Sequence, residues 1–68
     1  MALEDLDQRF GSIAVKKGFI TSEQLIEAIS IQVAENIKDN KHRIIGTILR
    51  DMGLLTIEQI NDVLKAIM

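Results

Sequence analysis

The sequence contains no cysteine, no proline, no tryptophan and no tyrosine, and phenylalanine occurs only twice. Without cysteine there is no disulfide framework and no thiolate metal site, so buried apolar side chains must provide most of the stability. Without proline, and with Ile and Leu as the main apolar residues, helices are favoured over a sheet. The 68 residues, of which 47% are hydrophobic, predict one all-α domain that spans residues 1–68.

Long apolar runs are missing as well, and the charge balance is slightly acidic. No stretch reaches the roughly 18 consecutive apolar residues of a membrane span, and no signal peptide is recognisable. We therefore expect a cytoplasmic protein without membrane insertion. A net charge of −2 argues against the basic surface that DNA binding requires. Because the chain starts with Met1 and carries no tag, we expect it to be the whole protein.

Residue combinations that support catalysis are also absent. The one histidine, His42, lies in a polar stretch. There is no nucleophile–histidine–carboxylate set, no glycine-rich phosphate loop and no histidine–carboxylate cluster with metal-ligand spacing. We therefore expect a protein that is not an enzyme and that holds no metal.

Apolar residues recur at the spacing of three and four that is typical of amphipathic helices. The stripes of the four predicted helices are Leu3, Leu6, Phe10, Ile13 and Ala14; Leu25, Ala28, Ile29, Val33 and Ile37; Ile44, Ile45, Ile48, Leu49 and Met52; and Ile60, Val63, Leu64 and Ile67. The predicted architecture is therefore four short helices, arranged as two helical hairpins.

Two segments of the chain have nearly the same pattern at an offset of 35 residues. "GFITSEQL" starts at Gly18 and "GLLTIEQI" at Gly53, and each combines a glycine that ends one helix with a Thr–Gln capping box that begins the next. Gly11 and Gly46 pair in the same register. We interpret the pattern as a tandem duplication packed with pseudo-twofold symmetry. Its parts are repeat one at about 9–32, a polar linker at about 36–42 and repeat two at about 44–67.

Three basic residues, Lys41, His42 and Arg43, precede the third helix. Free N–H groups and the helix dipole already attract anions at such a position, so cations there are unfavourable. The pattern predicts that an anion binds there, that Asp39 or Asp51 offsets the positive charge, or that the segment is simply a solvated turn.

Gly11 and Gly46 lie inside predicted helices, where glycine costs about 1 kcal/mol relative to alanine. Either the equivalent helices of the two repeats cross closely at these positions or a flat ligand approaches the backbone. We favour the helix crossing, because close helix contacts at small residues are common and ligand contacts are few.

The segment "RFGSIAVKKGFITSEQLIEAISIQ" resembles the motif Arg-Leu-Gly-x2-Leu-x3-Gly-x6-Leu-x3-Leu-x2-Gln of the MshEN domain. That domain is the N-terminal region of type II secretion and type IV pilus ATPases; its members carry the motif twice, and many bind cyclic di-GMP. The matching residues are Arg9, Gly11, Gly18, Leu25 and Gln32, with apolar replacements at Phe10 and Ile29 and a smaller residue at Ala14.

The resemblance implies a cyclic di-GMP site. Arg9 and Gln32 would contact guanine or phosphate, while Gly11, Gly18 and the apolar positions would line the base. For such a receptor we further expect Arg43, one residue from the motif's Arg position in the second copy, to receive a phosphate together with the start of the third helix. The residues of this expected site are Arg9, Phe10, Gly11, Gly18, Leu25, Gln32, Arg43 and Gly46.

The second copy keeps the apolar positions of the motif but has Ile44 in place of Arg and Ile67 in place of Gln. Because only one repeat keeps the polar residues, we expect a non-catalytic interaction or adaptor module of MshEN-like fold that docks a protein partner, or forms a homodimer, through apolar helix faces. The second helix offers such a face at Ile26, Ile29, Val33 and Ile37, which Leu25, Ala28 and Ile31 widen. The alternative expectation is a cyclic di-GMP receptor.

Overall fold

The computed structural model describes residues 5–67, which form four helices and the segments between them. The helices are α1 (Asp5–Lys16), α2 (Ser22–Asp39), α3 (Ile45–Asp51) and α4 (Ile57–Ile67). The prediction of an all-α domain with four short helices is confirmed. Leu3, which the sequence places in the first apolar stripe, lies outside the described residues.

Both copies of the repeated phrase end a helix in the same way. Gly18 and Gly53 each have a φ angle of +78°, the left-handed conformation that glycine adopts without steric cost. The N–H group that follows each glycine donates a hydrogen bond of 3.0 Å to a carbonyl five residues earlier. These bonds satisfy the last carbonyls of α1 and α3 in a Schellman arrangement.

The same phrases begin α2 and α4 with reciprocal capping boxes. The backbone N–H of Thr21 donates to the side-chain carbonyl of Gln24 at 2.9 Å, and the N–H of Gln24 donates to the Thr21 hydroxyl at 3.1 Å. Thr56 and Gln59 make the corresponding bonds at 3.0 and 3.1 Å. The predicted capping boxes are therefore confirmed in both repeats.

The connection between the repeats starts later than the sequence pattern indicates. The polar linker was expected at about 36–42, but α2 continues to Asp39 and ends at Asn40, whose φ of 54° is left-handed. Polar residues are compatible with an exposed final helical turn, and Lys38 there complements the helix dipole. Composition alone therefore places the end of this helix too early.

The hydrophobic core repeats the symmetry of the sequence. Among the described residues nine apolar side chains are buried, and eight of them form pairs 35 residues apart. These pairs are Phe10 and Ile45, Ala14 and Leu49, Ile20 and Leu55, and Ala28 and Val63. The ninth, Ile48, corresponds to the half-buried Ile13. Both repeats thus contribute equivalent side chains to one core.

Packing between the repeats is more extensive than packing within the first repeat. Helix α1 lies against α3 and α4, and α2 lies against α3, whereas the contact between α1 and α2 is smaller. A twofold rotation that exchanges α1 with α3 and α2 with α4 makes the α1–α4 and α2–α3 contacts equivalent. The two hairpins are therefore interlocked, and each covers the apolar face of the other.

Candidate functional site

A buried carboxylate, that of Asp7 on α1, lies next to α2 and the start of α3. Its side chain is 4% exposed. Oδ2 accepts a hydrogen bond from Nε2 of Gln32 at 2.7 Å, and Oδ1 accepts one from the backbone N–H of Ile45 at 3.2 Å. The residue before α3, Ile44, has no side chain that can cap the helix. Asp7 therefore satisfies a free donor of α3 from another helix.

Gln32 on α2 is held by two acceptors. Its Nε2 donates to Asp7 and also to the backbone carbonyl of Arg43, the latter at 3.0 Å. Because a carboxylate and a carbonyl both accept, the amide nitrogen must face them and the orientation of the side chain is determined. Gln32 thereby joins α1, α2 and the segment before α3.

The guanidinium of Arg43 is also paired within the protein. Nε and Nη2 donate to the two carboxylate oxygens of Glu35 at 2.9 and 2.6 Å, and Nη1 donates to Asp51. This two-point geometry is the strong form of an Arg–carboxylate pair. Of the two acids that the sequence suggested as neutralising partners, Asp51 takes that role. Glu35 adds a second partner from α2.

These hydrogen bonds shift the titration of both charged groups. The Arg43 guanidinium, mainly through its hydrogen bonds, holds the pKa of the Glu35 carboxyl below its ordinary value, and Lys41 adds a smaller electrostatic contribution. Glu35 in turn raises the pKa of Arg43, with Asp51 contributing less. Both groups therefore stay charged around neutral pH.

The two glycines inside helices lie against side chains of neighbouring helices. A Cβ atom on Gly46 would lie 3.0 Å from Cζ of Phe10, where α3 crosses α1. A Cβ atom on Gly11 would lie 2.7 Å from Cδ1 of Leu25, where α1 meets α2. Helix packing thus accounts for the absence of a side chain at both positions. Only Gly46 lies at the expected crossing of the equivalent helices α1 and α3, because Gly11 contacts α2 of its own repeat.

An open apolar groove lies between α1, α3 and α4 and has a volume of about 270 Å³. We call it the α1–α3–α4 groove. Buried and half-buried residues, among them Phe10 and Ile60, lie at its base. The large apolar side chains along it that remain well exposed are Leu6 (49%), Ile44 (55%), Ile57 (54%) and Leu64 (36%). The exposed polar residues of the groove are Thr47 and Arg50.

A second cavity, of about 290 Å³, lies beside the groove and shares Leu6, Asp7 and Ile44 with it. Gln32 and Arg43 also line this cavity. In this cavity the Gln32 amide already donates to the Asp7 carboxylate and to the backbone carbonyl of Arg43. A ligand there would have to compete with these intramolecular bonds.

The residues of the expected dinucleotide site are distributed over several environments. Gln32 and Arg43 line the second cavity, whereas Phe10 and Gly46 line the α1–α3–α4 groove. Gly11 lies against Leu25, Gly18 ends α1, and Arg9 is exposed on α1.

The sequence reasoning did not single out Asp7 or Glu35. A signal for Asp7 was present, because it occupies the apolar stripe of α1 one turn before Phe10, where an acid is unexpected unless it is bonded. No comparable signal existed for Glu35, since an acid near the end of an amphipathic helix is ordinary. Among residues 5–67 there is also no group of three His, Asp or Glu side chains arranged to hold a metal ion.

Comparisons with protein-family models, with curated protein sequences and with solved structures found no match to this chain. The resemblance of the segment from Arg9 to Gln32 to the MshEN domain therefore stays a prediction from the motif. Within the described part of the chain, no helix combines the length and apolar character needed to cross a membrane.

Proposed function

We propose that the protein is a non-catalytic interaction module that holds an amphipathic helix of a partner protein in the α1–α3–α4 groove. The observation that carries this proposal is the set of four well-exposed apolar side chains along one groove. Apolar grooves between helices are a recurrent docking site for the apolar face of a partner helix, whose anchors are spaced at i, i+3 or i+4, and i+7.

The size and charge of the groove support a peptide as its occupant. A volume of about 270 Å³ falls just below the range of roughly 300–1,000 Å³ that is typical of small-molecule sites, and it suits a few side chains. Arg50 is the exposed charged residue of the groove, and it forms no ion pair with another described residue. We therefore expect the partner helix to carry an acid beside its apolar face.

The cyclic di-GMP receptor remains the alternative. It is less well supported, because Gln32 and Arg43 are occupied by intramolecular partners and would have to exchange them for the ligand. Isothermal titration with cyclic di-GMP separates the two functions. Saturable heat that disappears in an Arg9→Ala variant would replace our proposal with this alternative.

Selection from a displayed library of helical peptides, followed by NMR titration of the methyl groups, tests the docking function. We expect selected peptides to have apolar residues at helical spacing with a flanking acid, and to shift the methyl signals of Leu6, Ile44, Ile57 and Leu64. An Ile57→Ser/Leu64→Ser variant should bind at least about tenfold more weakly.

The matched control is Ile26→Ser, which removes an exposed isoleucine from α2, outside the groove. It should bind the selected peptides as the unmodified protein does. Peptides whose signals shift elsewhere, or a library that yields no peptide binding the folded protein, would contradict the proposal.

A further inference from the structure

The outward side of α2 carries the two most exposed large apolar side chains of the described residues, Ile37 at 71% and Ile26 at 63%. With about 100° per residue, Ile26, Ser30, Val33 and Ile37 lie within an arc of about 60° on this helix. We call these four residues the α2 face. It points away from the core, which Ala28 contacts from the opposite side of the helix.

Ser30, the polar residue of the α2 face, can be buried in an interface at little cost. The hydroxyl of Ser30 donates to the carbonyl of Ile26 at 3.0 Å, so its hydrogen is already bonded within the helix. Covering it therefore leaves no donor unsatisfied. Its small side chain also permits another helix to approach closely at the middle of the face.

Charges along one edge of the α2 face are separated by sign. Glu23 and Glu27 lie near the start of α2, one turn apart, where like charges repel. Lys38 lies on the same edge in the last turn. All three are exposed, and none forms an ion pair with another residue in the described part of the chain.

We infer that the α2 face binds the same face of a second copy of this chain in an antiparallel arrangement. With a twofold axis midway between Ile26 and Ile37, Ile26 of each copy lies opposite Ile37 of the other, and Ser30 opposite Val33. Lys38 of the second copy then lies between Glu23 and Glu27, about 3 Å along the helix axis from each.

The distribution of charge selects this orientation. In a parallel twofold pair the charged edge of each copy would lie beside the opposite edge of the other copy, where Ile29 and Asn36 carry no charge, so Lys38 would meet no acid. In the antiparallel pair each lysine relieves the repulsion between two acids. Because the contact involves one helix of 18 residues from each copy, its area is small and the dimer is a weak, reversible one. The contact leaves the α1–α3–α4 groove open, so it is independent of the proposed function.

Sedimentation equilibrium tests this dimer directly. The unmodified chain should dimerise reversibly, and Ile37→Lys should raise the dissociation constant of the dimer at least about tenfold. Because Ile37 is exposed, this variant should fold as the unmodified chain does. The groove variant Ile57→Ser/Leu64→Ser should dimerise as the unmodified chain does. This control separates failure of the dimer from failure of peptide docking.

A charge exchange tests the orientation. Lys38→Glu creates an edge of three acids, and Glu23→Lys/Glu27→Lys creates an edge of three bases, so each variant alone should be monomeric. Mixed in equal amounts, the two variants should form a heterodimer, because the acidic edge of one then faces the basic edge of the other.

Three results would overturn the inference. One is an unmodified chain that is monomeric at about 1 mM. Another is a dimer that Ile37→Lys does not weaken. The third is a mixture of the two charge variants in which no heterodimer forms.

Discussion

At the scale of single residues, the carboxylate of Asp7 links three parts of the fold. It accepts from Gln32 on α2 and from the first N–H group of α3, while its own backbone belongs to α1. A buried carboxylate is stable only when its oxygens are bonded, and both oxygens of Asp7 are. The residue therefore determines how α3 is positioned against the first repeat.

We predict that Asp7→Ala lowers the free energy of unfolding by about 1.5–3 kcal/mol, the usual contribution of hydrogen bonds to a charged group. Asp7→Asn should also be destabilising, because its amide nitrogen would meet the nitrogen of Gln32 or the N–H of Ile45. Chemical denaturation measures both changes. Faster hydrogen exchange at the amide of Ile45 would show that the helix start has lost its acceptor.

The control for this prediction is Asp62→Asn, which breaks the exposed ion pair between Asp62 and Lys17 at 3.3 Å. Exposed pairs contribute at most about 1 kcal/mol, so this variant should change stability little. If Asp7→Ala and Asp62→Asn lower the free energy of unfolding equally, the role assigned to Asp7 is contradicted.

The Glu35–Arg43 pair predicts a loss of stability in acid. Because the pKa of Glu35 is lower in the folded chain than its ordinary value of 4.5, its contribution is fully present above that value. The contribution is lost as pH falls through the folded pKa. We expect Glu35→Gln to be less stable than the unmodified chain near neutral pH, with the difference shrinking in acid.

Denaturation midpoints measured from about pH 6 to pH 3 test this dependence. Glu27→Gln is the matched control, since it removes another carboxyl from α2 that forms no ion pair with a described residue. If the difference in stability between Glu35→Gln and the unmodified chain stays constant over this range, the ion pair is ruled out as the cause of that difference.

At the scale of helices and turns, the repeated phrase determines where helices end and begin. The glycine, the two apolar residues after it and the Thr–Gln box satisfy the free carbonyls of one helix and the free N–H groups of the next. All of these bonds join residues at most five positions apart, so the local sequence pattern contains the information that predicts them. This explains why the sequence predicted the turns within the repeats better than the linker between them.

We predict that Gly53→Ala lowers the free energy of unfolding by about 1–2 kcal/mol, the cost of a left-handed residue with a Cβ atom. No heavy atom beyond the neighbouring residues 52 and 54 lies within 4 Å of the added Cβ, so the loss comes from the backbone alone. Gly53→Asn should lower the free energy of unfolding by less, because asparagine tolerates this conformation. Chemical denaturation measures the free energy of unfolding of both variants. A Gly53→Ala variant as stable as the unmodified chain would exclude backbone strain at this position.

At the scale of the whole molecule, the two repeats form one core because their helices alternate in space. The α1–α4 and α2–α3 contacts join different repeats, and the buried side chains come from equivalent positions of both. This arrangement covers the inner faces of all four helices. It leaves open the α1–α3–α4 groove and the α2 face, so two independent surfaces are available for association.

The candidate site was less predictable than the fold. The expected dinucleotide site combined Arg9 and Gln32 of the motif with Arg43 as ligand contacts, but Gln32 bonds to Asp7 and Arg43 bonds to Glu35 instead. Asp7 and Gln32 are 25 residues apart, and Asp7 and Ile45 are 38 apart. No local pattern records such pairs, because they depend on how the helices are stacked.

The sequence by itself determined the all-α class, the four helices, the glycine ends of α1 and α3, the capping boxes of α2 and α4, and the duplication. These features follow from hydrophobic spacing and from hydrogen bonds between residues at most five positions apart. Only the tertiary structure decided that Asp7 caps α3, that Glu35 and Asp51 pair with Arg43, and which apolar residues remain exposed. Those outcomes depend on long-range packing, which brings together groups whose separation along the chain carries no information about their distance in space.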